Sequence, residues 1–414
     1  MEADKSEPFN MVKRSIDNLD KWLNRNGWMG YDPYDIESHS LFRLKESFYT
    51  LKSLKKIVLI LDSYFPLTAR FLLNVQKKIN PKAMGLFSSA YMILYEVTGK
   101  ENYFQKSKET LRWLIENPSS GFNGLCWGQP FGWNSHIFIP PNMPSSIVTS
   151  IVGEAFWRFY ELTGESNYIE NCDRICEFFL KDLKIDKIDE KRICFSKTPI
   201  DHFHIHNSNL FVADFLMRIG KELNKKYYID TASRAINYTL SDQNKNGSFC
   251  YFGKDQSKEC TIDHYHTGFI IRCLYSIWKT TGDEKVFNAL MSCYKFYCKN
   301  MFTTQGIPKT TPKILFPVNI HSCAEAILCH SLMAKDFSNS YKYLKSIVSW
   351  VLSNMQQNDG WFIYLIRKFD NLFNWKVKIP YIRWGQAWML RSLAEYYSLL
   401  MKKTNLNKDK GAYL

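Results

Sequence analysis

Apolar residues recur at i, i+3, i+4 spacing in successive stretches of this chain, and the stretches alternate between two kinds. In the first kind, Tyr168, Cys172, Ile175, Cys176, Phe179 and Leu180 are interleaved with Glu170, Asp173, Arg174 and Glu177, which predicts a helix buried on one face only. The sets Tyr228/Ala232/Ile236/Leu240, Phe287/Leu290/Tyr294/Tyr297 and Leu344/Ile347/Val348/Val351 repeat it. The second kind is apolar around most of its circumference: Leu210 through Ile219, with equivalents at Ile147 to Tyr160, Gly268 to Trp278 and Ala324 to Met333. Such helices are enclosed by others, so these are predicted inner helices and the first kind outer ones.

Short turns join inner to outer. Thr98-Gly99-Lys100-Glu101-Asn102-Tyr103, Thr163-Gly164-Glu165-Ser166-Asn167-Tyr168 and Thr281-Gly282-Asp283-Glu284-Lys285-Val286 share one form. Leu223-Asn224-Lys225-Lys226-Tyr227-Tyr228 fills the same slot, with Asn where a left-handed cap would sit. The spacings are 65, 60 and 58 residues, and a degenerate copy lies near Phe337 to Ser340. A helical repeat near this period predicts an all-α fold, an (α/α) toroid or six-hairpin barrel of about six helical hairpins, ahead of an open solenoid. The expected organisation is an N-terminal arm over 1–40, one toroid domain over 41–402 and a basic tail over 403–414.

The connections from outer to inner helix, such as 184–205 and 243–262, are much longer, and loops gathered on one face are where a scaffold carries its site. Two begin with a glutamine punctuation, Gln243 to Phe249 and Gln356 to Trp361, similar to turns of other toroids and read mainly as structural.

The 414 residues are 45% hydrophobic and 16% aromatic, ample for a core. An excess of 54 Lys+Arg over 40 Asp+Glu gives +14, which favours an anionic partner. No finger spacing or aromatic-interleaved basic block marks nucleic acid as that partner. The N-terminus lacks the pattern of a secretory signal, and the apolar run Ile57 to Leu61 is far too short to span a membrane, so a cytoplasmic protein with no membrane span is expected. Eleven scattered cysteines without a CxxC pair indicate neither a disulfide framework nor structural zinc, and most should be reduced core residues.

Seven of the nine histidines fall between residues 202 and 330. Counting back 17 residues from the turns reaches Ser146, His206 and His264, and counting about 16 reaches His321. A ring would bring these first-turn residues to one funnel, beside Asp201-His202-Phe203-His204, Asn207, Asp263, Tyr265 and His266. Helix N-termini offer unpaired N–H groups and positive potential, which suits an anionic substrate and favours neutral imidazole. Zinc is the rival use of clustered histidines. His202 and His206 stand at HxxxH spacing, but His202 reads as loop and no HExxH occurs, so neither metal nor other cofactor is expected.

Two further segments look like site loops. Cys126 to His136 carries Trp127, Trp133 and Asn134; Pro380 to Trp388 carries Tyr381, Arg383, Trp384 and Gln386. Indole and phenol faces stack on sugars, while amides and Arg bind hydroxyls and carboxylates; core filling is the alternative use of the tryptophans. Carboxylates for glycosidase chemistry would be Asp32, Asp35, Asp201 or Asp263.

The strings GYDPYD (30–35), WGQPFGW (127–133), IHNSNL (205–210), DHYHTGF (263–269), IHSCAEAI (320–327) and YIRWGQAWML (381–390) resemble a bacterial and archaeal toroid family associated with surface-polysaccharide genes. At superfamily level the chain resembles the six-hairpin toroids, which include unsaturated-uronate hydrolases, polysaccharide lyases and glucuronyl C5-epimerases. Terpene-cyclase and lanthionine-cyclase motifs are missing. The resemblance implies a carbohydrate-active enzyme acting on an acidic saccharide or polysaccharide intermediate. Its expected chemistry is acid/base work at carbon 5 of a uronate, as epimerase or lyase, with His206, His266, Tyr265 and His321 as acid/base candidates and Asp263 orienting an imidazole. Expected substrate contacts are Asp32, Asp35, Trp127, Trp133, Asn134, Ser146, Asn207, His264, Tyr381, Arg383, Trp384 and Gln386. The competing readings are a six-hairpin glycoside hydrolase and a non-catalytic toroid that binds polysaccharide or a partner.

Overall fold

Left-handed turns punctuate the chain where the sequence placed them. Gly99, Gly164 and Gly282 take φ of 66°, 71° and 70°, and Asn224 takes 54° in the equivalent slot. Glycine and asparagine reach this conformation at least cost, so each inner helix stops there. The threonine before each glycine bonds back to the carbonyl four residues earlier, Thr98 to Leu94, Thr163 to Phe159 and Thr281 to Ile277.

The computed structural model describes residues 3–44, 49–369 and 373–411. Its helices are α1 (Ala3–Asn26), α2 (Ser40–Arg43), α3 (Tyr49–Tyr64), α4 (Pro66–Leu72), α5 (Pro81–Thr98), α6 (Glu101–Glu116), α7 (Ser146–Thr163), α8 (Ser166–Lys181), α9 (His206–Glu222), α10 (Lys226–Ser241), α11 (His264–Thr281), α12 (Glu284–Asn300), α13 (Ile320–Met333), α14 (Tyr341–Met355) and α15 (Trp388–Gly411). The inner helices α5, α7, α9, α11, α13 and α15 each pack on the next, and α15 packs on α5, which closes the ring. Outer helices α6, α8, α10, α12 and α14 pair with the inner helix before them. The fold is the (α/α) toroid.

Closure uses both ends of the chain. Helix α1 lies against α15 and takes the place of its outer partner. Val12, Ile16, Leu19, Trp22 and Leu23 are buried in the common core, so the segment expected to form an arm supplies the sixth hairpin. At the other end, α15 continues across position 403, where a tail was expected to begin. Close approach between α5 and α7 depends on Gly85, where a Cβ would meet Val152 Cα at 3.0 Å and the Ile151 carbonyl at 3.1 Å.

The glutamine punctuations lace neighbouring outer helices together. Gln243 Nε2 donates to the carbonyls of Gly247 and of Ala289 on α12; Gln356 Nε2 donates to those of Gly360 and of Ser15 on α1. Short antiparallel pairings decorate the long loops, among them Trp133–Ser135 with Ile137–Ile139 and Ile185–Lys187 with Ile193–Phe195. One loop corrects the cysteine reading: Cys250 and Cys260 are joined as a disulfide, because the turn between them returns the chain on itself. The other nine cysteines are free, and all but Cys298 are buried.

Ion pairs line the lumen below the N-terminal ends of the inner helices. Arg218 pairs with Glu154 at 2.8 Å and Asp214 at 3.0 Å, Arg272 with Glu325 at 2.5 Å, and Arg391 with Glu395 at 2.7 Å.

Candidate functional site

The helix caps decide which side chains enter the funnel. Asn80 accepts from Lys82 N, Ser145 from Val148 N, Asp263 from His266 N and Asn319 from His321 N, fixing where α5, α7, α11 and α13 begin. The second helical residues of α5, α7, α9, α11 and α13 are therefore Lys82, Ile147, Asn207, Tyr265 and His321. In the π-helical turn Ile382–Ala387 that leads into α15, the second residue is Arg383. Five of these six, all but Asn207, line one cavity of about 140 Å³ at the N-terminal mouth of the ring. Loop residues Tyr34, Gln129, Trp133, Ser135, Lys197 and Tyr251 complete its walls with His266, Phe269 and Trp384.

The first helical residues face the other way, since one residue turns a helix by about 100°. Ser146 Oγ lies 2.6 Å from Ser208 Oγ, fully buried between α7 and α9. His206 points back toward α10, its Nε2 3.3 Å from Asp242 and its Nδ1 3.4 Å from Thr239 Oγ1. His264 Nε2 is 2.7 Å from the Tyr297 hydroxyl on α12, and burial drives its pKa down to about 3. The structure thus brings His321, Tyr265 and His266 together and leaves His206, His264 and Ser146 outside the funnel.

Within the cavity Tyr265 stands between the two imidazoles. Its ring stacks on His321 at 4.7 Å and 9°, and lies 4.3 Å from the His266 ring. Asp263 Oδ2 is 2.5 Å from His266 Nδ1 while Oδ1 caps α11, so the carboxylate orients this imidazole and leaves Nε2 for other partners. Burial opposes ionisation of Asp263, but the His266 imidazole and its hydrogen bonds outweigh it and hold the carboxyl below the usual range. His321 packs against Trp388 at 4.9 Å and edge-on to Trp384 at 4.4 Å, and neither ring nitrogen has a hydrogen-bond partner. Burial, then the neighbouring Lys82 and Arg383, push its pKa well below that of free histidine, so it is a neutral imidazole. Burial pushes the Tyr265 hydroxyl well above its usual value, which keeps it protonated.

Two lysines in this wall were not singled out by the sequence. Lys82 is 5% exposed and its Nζ lies over the Phe269 and Trp388 rings at 5.7 and 5.3 Å, with no ion pair or side-chain hydrogen bond to a described residue. Burial, reinforced by Arg383, holds its amine well below the normal lysine value. Lys197 Nζ donates to Ser135 Oγ at 2.6 Å and sits 4.4 Å over the Trp133 ring; burial lowers it to about 8, against the pull of Asp201. A signal for Lys82 was present, because counting back 16 residues from Thr98 lands on it. For Lys197, inside a long loop, no sequence signal existed.

Most of the remaining expected residues are tied into the walls or the core. Arg383 Nε and Nη2 clasp the Asp32 carboxylate at 2.5 and 2.6 Å, and Asp32 also accepts from Tyr34 N. Asp35 accepts from Asp32 N and pairs with Arg70 at 2.8 Å; burial raises it to about 7 in spite of that guanidinium. Asp201 accepts from the backbone N–H groups of Lys197, Thr198 and Phe203, ordering the loop that carries Lys197. Trp384 Nε1 donates to Asn319 Oδ1, and Gln386 pairs with both backbone groups of Phe362. Trp127 is core, donating to the Leu114 carbonyl, and Tyr381 is buried under Arg70. Asn134 is exposed, with its backbone N–H on Glu37. Asn207 is 1% exposed and its amide has no partner for either atom. No cluster of His, Cys, Asp or Glu with metal-binding geometry occurs among the described residues.

No protein-family model and no curated protein matches the chain in sequence. Solved structures do match in shape. The cellobiose 2-epimerase of Bacillus thermoamylovorans B4167 superposes with a TM-score of 0.59 at 13% identity, over 78% of this chain and 90% of that one. An unsaturated glucuronyl hydrolase specific for heparin gives 0.58 at 12%, over 94% and 97%. The GH76 α-mannanase of Bacteroides thetaiotaomicron gives 0.60 at 12%, over 80% and 88%. At such identities the likeness is one of fold, and the fold shared with these proteins is the six-hairpin (α/α) toroid.

Proposed function

We propose that this chain is a carbohydrate-active enzyme that acts on an acidic, uronate-containing saccharide by acid/base chemistry at carbon 5, as an epimerase or a lyase in surface-polysaccharide metabolism. The observation that carries the reading is the make-up of the funnel. One imidazole oriented by a carboxylate, one unpartnered neutral imidazole and a protonated tyrosine face a cavity whose fixed charges are cationic. Shape similarity to enzymes named for sugar epimerisation and glucuronyl hydrolysis supports the saccharide class.

The chemistry follows from the placement. Lys197, Arg383 and the converging helix N-termini neutralise the uronate carboxylate, which lowers the barrier to removing the proton on the adjacent carbon. His266 Nε2 takes that proton, and Asp263 stabilises the imidazolium through Nδ1–H. The electron pair spreads into the carboxylate. Return of a proton from the opposite side, by the Tyr265 hydroxyl on whose ring His321 stacks, inverts carbon 5. Expulsion of the oxygen at carbon 4, with that oxygen taking the proton, forms the carbon 4–carbon 5 double bond of a lyase product. The hydrolase reading has less support, because no carboxylate lines the cavity among the described residues.

Incubation with a panel of acidic oligosaccharides in D2O, followed by mass spectrometry and NMR, tests the proposal. Deuterium at carbon 5, or a conjugated unsaturated product, is expected. Release of reducing sugar without exchange would replace this reading by the hydrolase.

A further inference from the structure

Helices α3 and α4 pack on each other and lie outside the six-hairpin ring. Of the seventeen large hydrophobic residues that are exposed among the described residues, eight fall between Leu54 and Leu72. Phe71 is 83% exposed, Leu72 65% and Ile57 61%, with Ile60, Phe65 and Leu67 at about half. A water-soluble surface does not concentrate bulky apolar side chains in one hairpin unless something covers them.

The charge around this hairpin is one-sided. Between Tyr49 and Lys78 the sequence holds five lysines and one arginine against a single acid, Asp62. That acid is occupied by Arg70 at 2.5 Å, while Lys52, Lys56 and Lys77 are exposed. Arg70 in turn fastens α4 to the body, donating to the Asp32 carbonyl at 2.7 Å and pairing with Asp35. The hairpin is thus held firmly at its base and presents apolar and cationic groups outward. We propose that α3 and α4 form a docking prong for an anionic lipid bilayer, with the apolar side chains entering the acyl boundary and the lysines meeting the headgroups.

Charge complementarity favours this occupant over a second copy, since pairing two such faces would bring like-charged lysines together on chains that each carry +14. Docking also has a consequence for the site. Leu73, Asn74, Val75 and Gln76, directly after α4, line a cleft of about 210 Å³ with Asp32 and Arg383. Arg383 is shared with the funnel, so the prong holds the funnel's rim close to the bilayer.

Co-sedimentation of the full chain with vesicles tests the proposal. Binding to phosphatidylcholine vesicles containing phosphatidylglycerol is expected, weakened by salt, with little binding to pure phosphatidylcholine. Combined Ile57→Ser, Phe71→Ser and Leu72→Ser substitutions should lower the bound fraction about tenfold or more, as should Lys52→Glu with Lys56→Glu. Hydrogen exchange on the unsubstituted chain should gain vesicle-dependent protection between Leu54 and Leu72. No binding to the anionic vesicles, or protection confined to other segments, overturns the proposal. A concentration-dependent dimer in sedimentation equilibrium that the serine substitutions abolish would assign the prong to a second copy instead.

Discussion

A one-residue difference in register separates His321 from His206 and His264, and it decides their chemistry. His321 is the second residue after its cap, unpartnered in the funnel, whereas His206 and His264 are first residues tied to Asp242 and Tyr297 on outer helices. His266→Ala and His321→Ala should each lower turnover about 100-fold or more, while His206→Ala should affect stability ahead of turnover, as read by the D2O assay beside urea unfolding. Lys82 is a buried amine that rests on two aromatic rings, with no ion pair among the described residues. Its replacement by the similarly shaped methionine removes a desolvation cost, so Lys82→Met should unfold at a higher temperature, by the equivalent of about 1 kcal/mol, yet lose activity. Lys197, at about 8 in place of the usual 10.5, carries its charge below that pH and loses it above. If it holds the uronate carboxylate, KM should rise above about pH 8, and Lys197→Met should flatten that rise while raising KM throughout.

Inner helices meet outer helix α12 through buried histidines at the start of α11 and near the end of α13, and these make the hairpins sensitive to acid. His264 and His330 bond to Tyr297 and Tyr294 at 2.7 Å and are held neutral by burial, with pKa values near 3 against the ordinary 6.5. Below pH 6.5 the unfolded chain takes up protons that the folded chain refuses. Their stabilising contribution is therefore complete above that pH and falls on the way down toward 3, by about 1.4 kcal/mol per pH unit for each histidine. Urea unfolding at pH 7 and pH 5 should show this loss, and a His264→Gln, His330→Gln double substitution should show a shallower slope. The inner and outer helices themselves were legible in the apolar spacing, and so were the turns, down to Asn224 in the left-handed slot. Direction within a helix was not, because it depends on which residue caps it: Ser145, Asp263 and Asn319 shift the start relative to a count made from the far end.

The molecule is a ring closed where α15 packs on α5, and α1 completes it by covering α15 from outside. Leu19 is fully buried at that seam, so Leu19→Ala should cost about 2–5 kcal/mol and lower the thermal midpoint of the whole ring as one cooperative unit. A low-temperature transition confined to α1 would show the first helix to be separable. The seam was invisible in the sequence, where residues 1–40 read as an arm: its partner lies more than 360 residues away, and no local pattern records such a contact. Part of the positive charge is likewise gathered by the fold in two places, the funnel and the prong formed by α3 and α4.

By itself the sequence determined the repeat, the alternation of enclosed and one-sided helices, the turn chemistry and the neighbourhood of the site, because each rests on spacing within a few turns of helix. Only the tertiary structure decided which polar residues share the funnel. Lys82, Tyr265, His321 and Arg383 come from four inner elements spread over 300 residues, and Lys197 joins them from a loop. Ring closure sets their mutual distances, and the withdrawal from water that gives them their chemistry exists only once the ring has closed.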